Sequence, residues 1–138
     1  MIDYEKFSKA LKHLELQYVN YQNLDPDLSE LLKEAVSESV IQRFETCYDC
    51  MWKVLKRYLV EELGIPDVPN SPKPILRIAN ENRLLVSPID QWLEYAEARV
   101  DTSHDYSGEK AETALALIGF FIDDSIGLYQ IMSGETWE

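Results

Sequence analysis

The sequence predicts an all-α fold, an up-and-down bundle of about five antiparallel helices. Apolar residues recur at steps of three and four along most of the chain, and no stretch shows the strict two-residue alternation of a half-buried strand. The 5 glycines and 6 prolines are expected at the boundaries between these periodic segments. A chain of 138 residues that is 46% hydrophobic can bury one core, so residues 1–138 are expected to form a single domain.

The first helix is predicted over residues 3–23. Its apolar residues form one stripe: Phe7, Ala10, Leu11, Leu14, Tyr18 and Tyr21. The helix should end before Asp25-Pro26, because a proline cannot continue it.

The second helix is predicted to begin after Asp27, an N-cap residue type, and to run to Leu63, with Gly64 as its C-terminal stop. Ser37 and Ser39 interrupt its apolar stripe and are candidates for a bend or a break. The stripe comprises Leu28, Leu31, Leu32, Ala35, Val40, Phe44, Cys47, Met51, Leu55, Tyr58 and Leu59.

The proline-rich segment 64–74 is a connector, and a short third helix follows over about 74–82. The fourth helix opens at Ser87-Pro88, with Ser87 as the expected cap and Asp90 at the capping-box offset. Its buried side would carry Ile89, Trp92, Leu93, Ala96 and Val100.

The fourth helix should break near residues 101–103, and the fifth is predicted over about 107–132. The buried face of the fifth helix would carry Ala111, Ala114, Leu115, Ile118, Phe121, Ile122, Ser125 and Tyr129. The adjacent pairs Glu61-Glu62 and Asp123-Asp124 point about 100° apart on a helix, so they are interpreted as solvated or capping charges.

The chain is strongly acidic, with 13 Lys and Arg against 25 Asp and Glu, a formal net charge of −12. Residues 94–138 hold ten acidic and two basic side chains, so −8 lies there and −4 in residues 1–93. This charge excludes a general nucleic-acid coat protein and disfavours binding to anionic membranes. No signal-like start and no apolar run near 18 residues is evident, so a cytoplasmic protein without membrane contact is expected.

Motifs for metals and cofactors are absent from the sequence, so neither is expected. Cys47 and Cys50 form C-x2-C, but two thiols cannot fill a tetrahedral zinc site, and no partner pair exists. Both are interpreted as structural thiols, and His13 as a surface histidine. Phosphate-loop, dinucleotide, serine-hydrolase and zincin motifs do not occur.

The densest chemical cluster is residues 99–106, where Arg99 could bring its guanidinium near the His104 imidazole. Such a pair combines a phosphate clamp with a side chain that titrates near neutrality, which suits RNA cleavage by the 2′-hydroxyl. Alternatively, His104 caps a helix end and Arg99 pairs with a carboxylate, namely Glu94, Asp101 or Asp105.

Three segments together resemble the HEPN domains, specifically the nucleotidyltransferase substrate-binding or HepT-like branch. They are residues 39–45 continuing to 52–59, residues 75–79 with Trp92 after them, and Arg99-x4-His104-x-Tyr106. The resemblance implies a homodimeric bundle that partners a minimal nucleotidyltransferase in a toxin–antitoxin type module. It further implies metal-independent RNA cleavage by Arg99 and His104, and attachment of AMP to Tyr106 by the partner.

The chain departs from that family at Val100, where a polar residue, often Asn, is usual. Valine cannot hydrogen-bond phosphate, which motivates the alternative of a non-catalytic nucleotide- or substrate-binding subunit of a two-component nucleotidyltransferase. A structural adaptor without a ligand is a third hypothesis. Because the motif lies in the acidic third, Lys53, Lys56 and Arg57 on the second helix are expected to supply positive charge to an RNA or nucleotide site.

Overall fold

The computed structural model describes residues 1–103 and 108–138, and within them it contains five α-helices and no strand. The predicted all-α class is therefore confirmed. The helices are α1 (Glu5–Gln22), α2 (Glu30–Glu61), α3 (Pro72–Glu81), α4 (Ile89–Thr102) and α5 (Gly108–Ser133).

The longest helix, α2, lies at the centre of the bundle and packs against each of the other four helices. Aromatic rings join α2, α4 and α5 in the core. The ring of Phe121 lies edge-on to Phe44 at 5.0 Å and to Tyr95 at 5.3 Å between centroids. Such edge-to-face contacts favour one arrangement of the three helices, which sets the end of α4 against the middle of α2.

The start of α2 differs from the prediction. Ser29, not Asp27, is the N-cap, and its Oγ accepts a hydrogen bond from the Leu32 amide at 3.2 Å. Asp27 instead belongs to a turn in which its amide donates to Asp25 Oδ1. The helix runs without a break through Ser37, whose hydroxyl bonds back to the Lys33 carbonyl.

Four apolar residues that the stripes placed on buried faces are exposed: Ala35 and three larger ones, Leu31 by 76%, Leu32 by 53% and Val100 by 51%. The buried residues of α2 begin only at Val40, so its first turns extend beyond the core. The exposure of Val100 places it on the outer side of α4, beside Arg99.

The start of α4 also corrects the prediction. Pro88 occupies the N-cap position, and the hydroxyl of Ser87 donates instead to Asp124 Oδ1 on α5. Asp124 is buried and also accepts a hydrogen bond from the Tyr95 hydroxyl. Of the acidic pair interpreted as solvated, only Asp123 is exposed.

Two glycines, Gly119 and Gly127, lie inside α5, although the glycines in general were expected at boundaries between helices. A Cβ at Gly119 would stand 2.9 Å from the Tyr18 hydroxyl, and one at Gly127 would stand 3.1 Å from the methyls of Val86. Both positions therefore allow close packing against neighbouring segments. Gly64, with φ of 64°, follows α2 as predicted.

By length and composition alone, α5 could cross a membrane, with a mean hydropathy of 1.4 over its most apolar window. The expectation that no such segment exists was wrong on that criterion. Within the bundle, 44% of that window is buried, and the helix packs against α1, α2 and α4. Core helices of bundles share this composition.

Candidate functional site

Arg99 lies in the last turn of α4, and its side chain crosses to α2. There Nη1 donates to Glu45 Oε2 at 3.2 Å, while Nε and Nη2 donate to the two carboxylate oxygens of Asp49 at 3.3 and 3.0 Å. Glu45 and Asp49 are four residues apart and share one face of α2. The two-pronged contact with Asp49 fixes the plane of the guanidinium.

Thr102 completes the arrangement from the end of α4. Its hydroxyl donates to Glu45 Oε2 at 3.0 Å, and both residues are buried. We refer to Glu45, Asp49, Arg99 and Thr102 as the Arg99 cluster. Its three ionised side chains sum to −1, and the side chain of Arg99 is 26% exposed, so solvent reaches the guanidinium.

The buried phenol of Tyr48 lies beside this cluster on α2. Burial raises the pKa of Tyr48 well above its usual value of 10, and the negative charge of Asp49 raises it further. The opposing effect of Arg99 is smaller. Tyr48 therefore stays neutral next to the cluster, and its hydroxyl has no hydrogen-bond partner among the described residues.

The other two residues of the predicted motif, His104 and Tyr106, lie outside the described residues. Of the alternative partners predicted for Arg99, Asp105 also lies outside the described residues. Within the described residues the ion-pair partners of Arg99 lie on α2, so the predicted pairing with Glu94 or Asp101 was wrong there. Asp101 faces Lys110 instead, with 3.8 Å between Oδ1 and Nζ.

The three cations predicted to support the site do not converge on it. Lys56 shares the α2 face of Glu45 and Asp49 but lies about 10 Å beyond Asp49 along the helix axis, and it contacts Asn70 at 3.4 Å. Arg57 is turned away and pairs with Glu61 at 2.8 Å.

Lys53 lies near the ring of Trp52, with its Nζ 5.8 Å from the ring centroid. Of the three predicted cations, Lys56 therefore has the position best suited to extend a site from the Arg99 cluster.

Glu45 and Asp49 were not predicted as partners of Arg99. A signal for Glu45 was present, since it follows Phe44 and precedes Cys47 and Tyr48 within the buried stripe of α2. A carboxylate on a buried helix face needs a cation or several hydrogen-bond donors to stabilise its charge. In this acidic chain few Lys and Arg residues could supply that cation. Cys47 is buried and Cys50 lies at the adjoining surface, as predicted.

A family model described as "Nucleotidyltransferase substrate binding protein like" matches residues 2–133 of the chain. The chain belongs to this family. The HepT-like resemblance inferred from the motifs is thereby confirmed.

Two relatives come from Haemophilus influenzae. One, named "Probable ribonuclease HepT", is 30% identical over 122 residues, which span 86% of this chain and 81% of the relative. The other is the solved structure of HI0074, described as the fold of a substrate binding domain of a nucleotidyltransferase. It is 26% identical, with a TM-score of 0.84 over 94% of this chain and 98% of that one. The structural similarity and the family match therefore lead to the same assignment.

Proposed function

We propose that this HepT-like protein is a metal-independent ribonuclease of a toxin–antitoxin type module, held inactive by a minimal nucleotidyltransferase. The observation that carries the proposal is the position of Arg99. Its guanidinium is held at the end of α4 by Glu45 and Asp49 and is partly exposed, five residues before His104. The likeness to a probable ribonuclease supports the same assignment.

In the proposed reaction, the RNA 2′-oxygen attacks the adjacent phosphorus and the bond to the 5′-oxygen breaks, leaving a cyclic phosphate. His104 would take the 2′-hydroxyl proton or supply one to the leaving oxygen. Arg99 would stabilise the negative charge that develops on the phosphate oxygens. The two carboxylates on α2 hold the guanidinium in place before substrate arrives, which reduces the reorganisation needed during reaction.

The negative charge of the Arg99 cluster favours a second candidate. A net charge of −1 opposes phosphate capture, and the neighbouring Val100 presents an apolar side chain to solvent where a hydrogen-bonding group would help. Under this candidate, the protein is a non-catalytic subunit that presents nucleotide or substrate to the nucleotidyltransferase. Under either candidate we propose that the protein is a homodimer. We also propose that it acts in the cytoplasm, where an RNA substrate would be found.

The His104→Ala variant tests the catalytic role. We expect wild-type protein to cleave single-stranded RNA in the presence of a chelator, and His104→Ala to cleave at least a hundredfold more slowly, because general acid–base catalysis typically contributes about 10²–10⁴-fold. Cleavage is followed on gels with end-labelled RNA. Arg77→Ala, an exposed change on α3, is the control and should cleave like wild type. Equal, background cleavage by wild type and His104→Ala would instead support the non-catalytic candidate.

Tyr106 is tested as the AMP acceptor. Incubation with the cognate nucleotidyltransferase and ATP should add one AMP to wild-type protein and none to Tyr106→Phe, as measured by intact mass. Tyr21→Phe, a half-buried tyrosine on α1, is the control and should be modified like wild type. Modification of both variants to the same extent would place the acceptor elsewhere.

A further inference from the structure

A cavity of about 210 Å³ opens between α1 and α2, on a different face of α2 from the Arg99 cluster. Five of its six lining residues carry hydrogen-bonding side chains, and none is a carboxylate. They are His13, Ser39, Gln42, Arg43 and Thr46, with Ala10 as the sixth. We call this cavity the α1/α2 groove. A lining without carboxylates is unexpected in a chain with a net charge of −12.

Helical spacing explains why these side chains converge. Ser39, Arg43 and Thr46 follow one another at steps of four and three along α2, and therefore share a face. Ala10 and His13 are three residues apart on the facing side of α1. The methyl group of Ala10 leaves space that a longer side chain would fill.

Arg43 is the main source of positive charge in the groove. It is exposed and forms no ion pair with a carboxylate among residues 1–103 and 108–138, whereas Arg57 and Arg99 are both paired there. The His13 ring also presents an N–H donor, whichever tautomer it adopts. The two side chains together offer charge and directional donors to an anion.

Cys50 lies one turn beyond Thr46 on the same face of α2. Both Lys6 and Lys53 act to lower the pKa of the Cys50 thiol, although burial has the larger effect and raises it. The negative charge of Asp49 raises the pKa of that thiol, as burial does, and the Asp49 carboxylate is also paired with Arg99. Charges of both signs therefore reach the Cys50 end of this helix face.

We propose that the α1/α2 groove binds a phosphate group, held by Arg43 and His13 with a hydroxyl donor from Ser39. The Thr46 hydroxyl borders the groove but donates its proton to the Gln42 carbonyl at 3.2 Å. Its volume is below the roughly 300–1,000 Å³ of pockets that enclose whole drug-sized ligands, so one polar group fits it better than an entire nucleotide. The phosphate belongs either to a free nucleotide or to the backbone of an RNA strand. In the second case the inference rests on the proposed function, since the strand would continue from this groove to the guanidinium of Arg99, which lies against the adjacent face of α2.

Binding is measured in full-length protein that carries His104→Ala, so that cleavage does not interfere. One arm uses fluorescence anisotropy with a labelled ten-nucleotide single-stranded RNA that has no terminal phosphate. The other uses adenosine 5′-monophosphate and follows the side-chain NMR signals of His13 and Arg43. Arg43→Ala is compared with Arg77→Ala, which removes the same charge from an exposed site on α3. Thermal melting confirms that both variants are folded.

Arg43→Ala is expected to weaken RNA binding about tenfold and to reduce the slope of log K against log salt by about 0.7, the loss of one phosphate contact. Arg77→Ala should stay within about twofold of its parent. Shifts of the His13 and Arg43 signals with adenosine 5′-monophosphate alone, without Arg43-dependent RNA binding, would identify a free nucleotide as the ligand.

Equal RNA binding by Arg43→Ala and Arg77→Ala, together with unshifted signals in the nucleotide arm, would overturn the proposal. The outcome is separable from that of the ribonuclease test. Binding that depends on Arg43 in a protein that cleaves no RNA would support the groove and contradict the proposed catalysis.

Discussion

Replacing Arg99 with alanine is expected to lower the free energy of unfolding by about 2–3 kcal/mol and also to abolish RNA cleavage. The substitution removes the guanidinium that pairs with the buried carboxylate of Glu45, and breaking a fully buried pair costs about 3–5 kcal/mol. The side chains of Arg99 and Asp49 are 26% and 38% exposed, so solvent reduces that cost. Urea denaturation measures the change, with the slope m checked for constancy.

Glu45→Gln provides the control for this prediction. The amide keeps an oxygen to accept the hydrogen bond of Thr102 but carries no charge, so Arg99→Ala with Glu45→Gln should be at least about 1 kcal/mol more stable than Arg99→Ala alone. If the double variant folds stably and still fails to cleave RNA, the loss of cleavage belongs to the missing guanidinium. If the stability changes of Arg99→Ala and Glu45→Gln simply add in the double variant, the two side chains do not stabilise each other, and the prediction is contradicted.

Replacing Asp124 with alanine is expected to cost about 3 kcal/mol of stability. Its buried carboxylate accepts hydrogen bonds from Ser87 and from Tyr95, and thereby ties α5 to α4 and to the segment before it. Each hydrogen bond to a charged group contributes about 1.5–3 kcal/mol, and the fully buried Tyr95 hydroxyl would lose its acceptor. Thermal and urea unfolding measure the effect.

The variant Asp123→Ala is the matched control, because it removes the same charge from an exposed position on α5. Asp123→Ala should change stability by less than about 0.5 kcal/mol. Tyr95→Phe should cost less than Asp124→Ala, since only one of the two hydrogen bonds is lost. Similar stabilities for Asp124→Ala and Asp123→Ala would show that the buried carboxylate does not hold α4 and α5 together.

The tyrosine partner of Asp124 also illustrates how burial acts on ionisation. Burial and the hydrogen bond to Asp124 raise the pKa of Tyr95 well above 10. A group with a raised pKa in the folded state contributes its stability below the unfolded pKa and loses it as pH rises beyond that value. The contact between α4 and α5 is therefore insensitive to this group's ionisation below about pH 10.

The helices were predictable because their signals are local. Apolar spacing and the positions of proline and Gly64 placed the five helix ends near 23, 63, 82, 101–103 and 132, each within two residues of the end observed. Caps were less predictable: Ser87 has the chemistry of a cap but its side chain bonds to Asp124, and Asp27 lies in the turn before α2 while Ser29 caps the helix. A side chain that can cap a helix can equally bond across the fold, and composition does not distinguish the two.

Local sequence signals did not predict which residues surround Arg99. The motif singled out Arg99, but its partners Glu45 and Asp49 lie 54 and 50 residues earlier in the chain. Similarly, His13 and Arg43 line one groove although 30 positions separate them. These pairs form only when α1, α2 and α4 pack side by side.

The amino-acid sequence alone therefore determined the helical class, the family and the place of Arg99 at the end of a helix, since periodicity and short motifs are properties of neighbouring residues. Tertiary packing decided which charges meet. It directed Asp49 to Arg99, buried Asp124 beneath Tyr95, and left Arg43 without a described carboxylate partner. In a chain of net charge −12, the position of each cation depends on which helices come into contact, because Coulomb interactions follow distance in space and not separation along the chain.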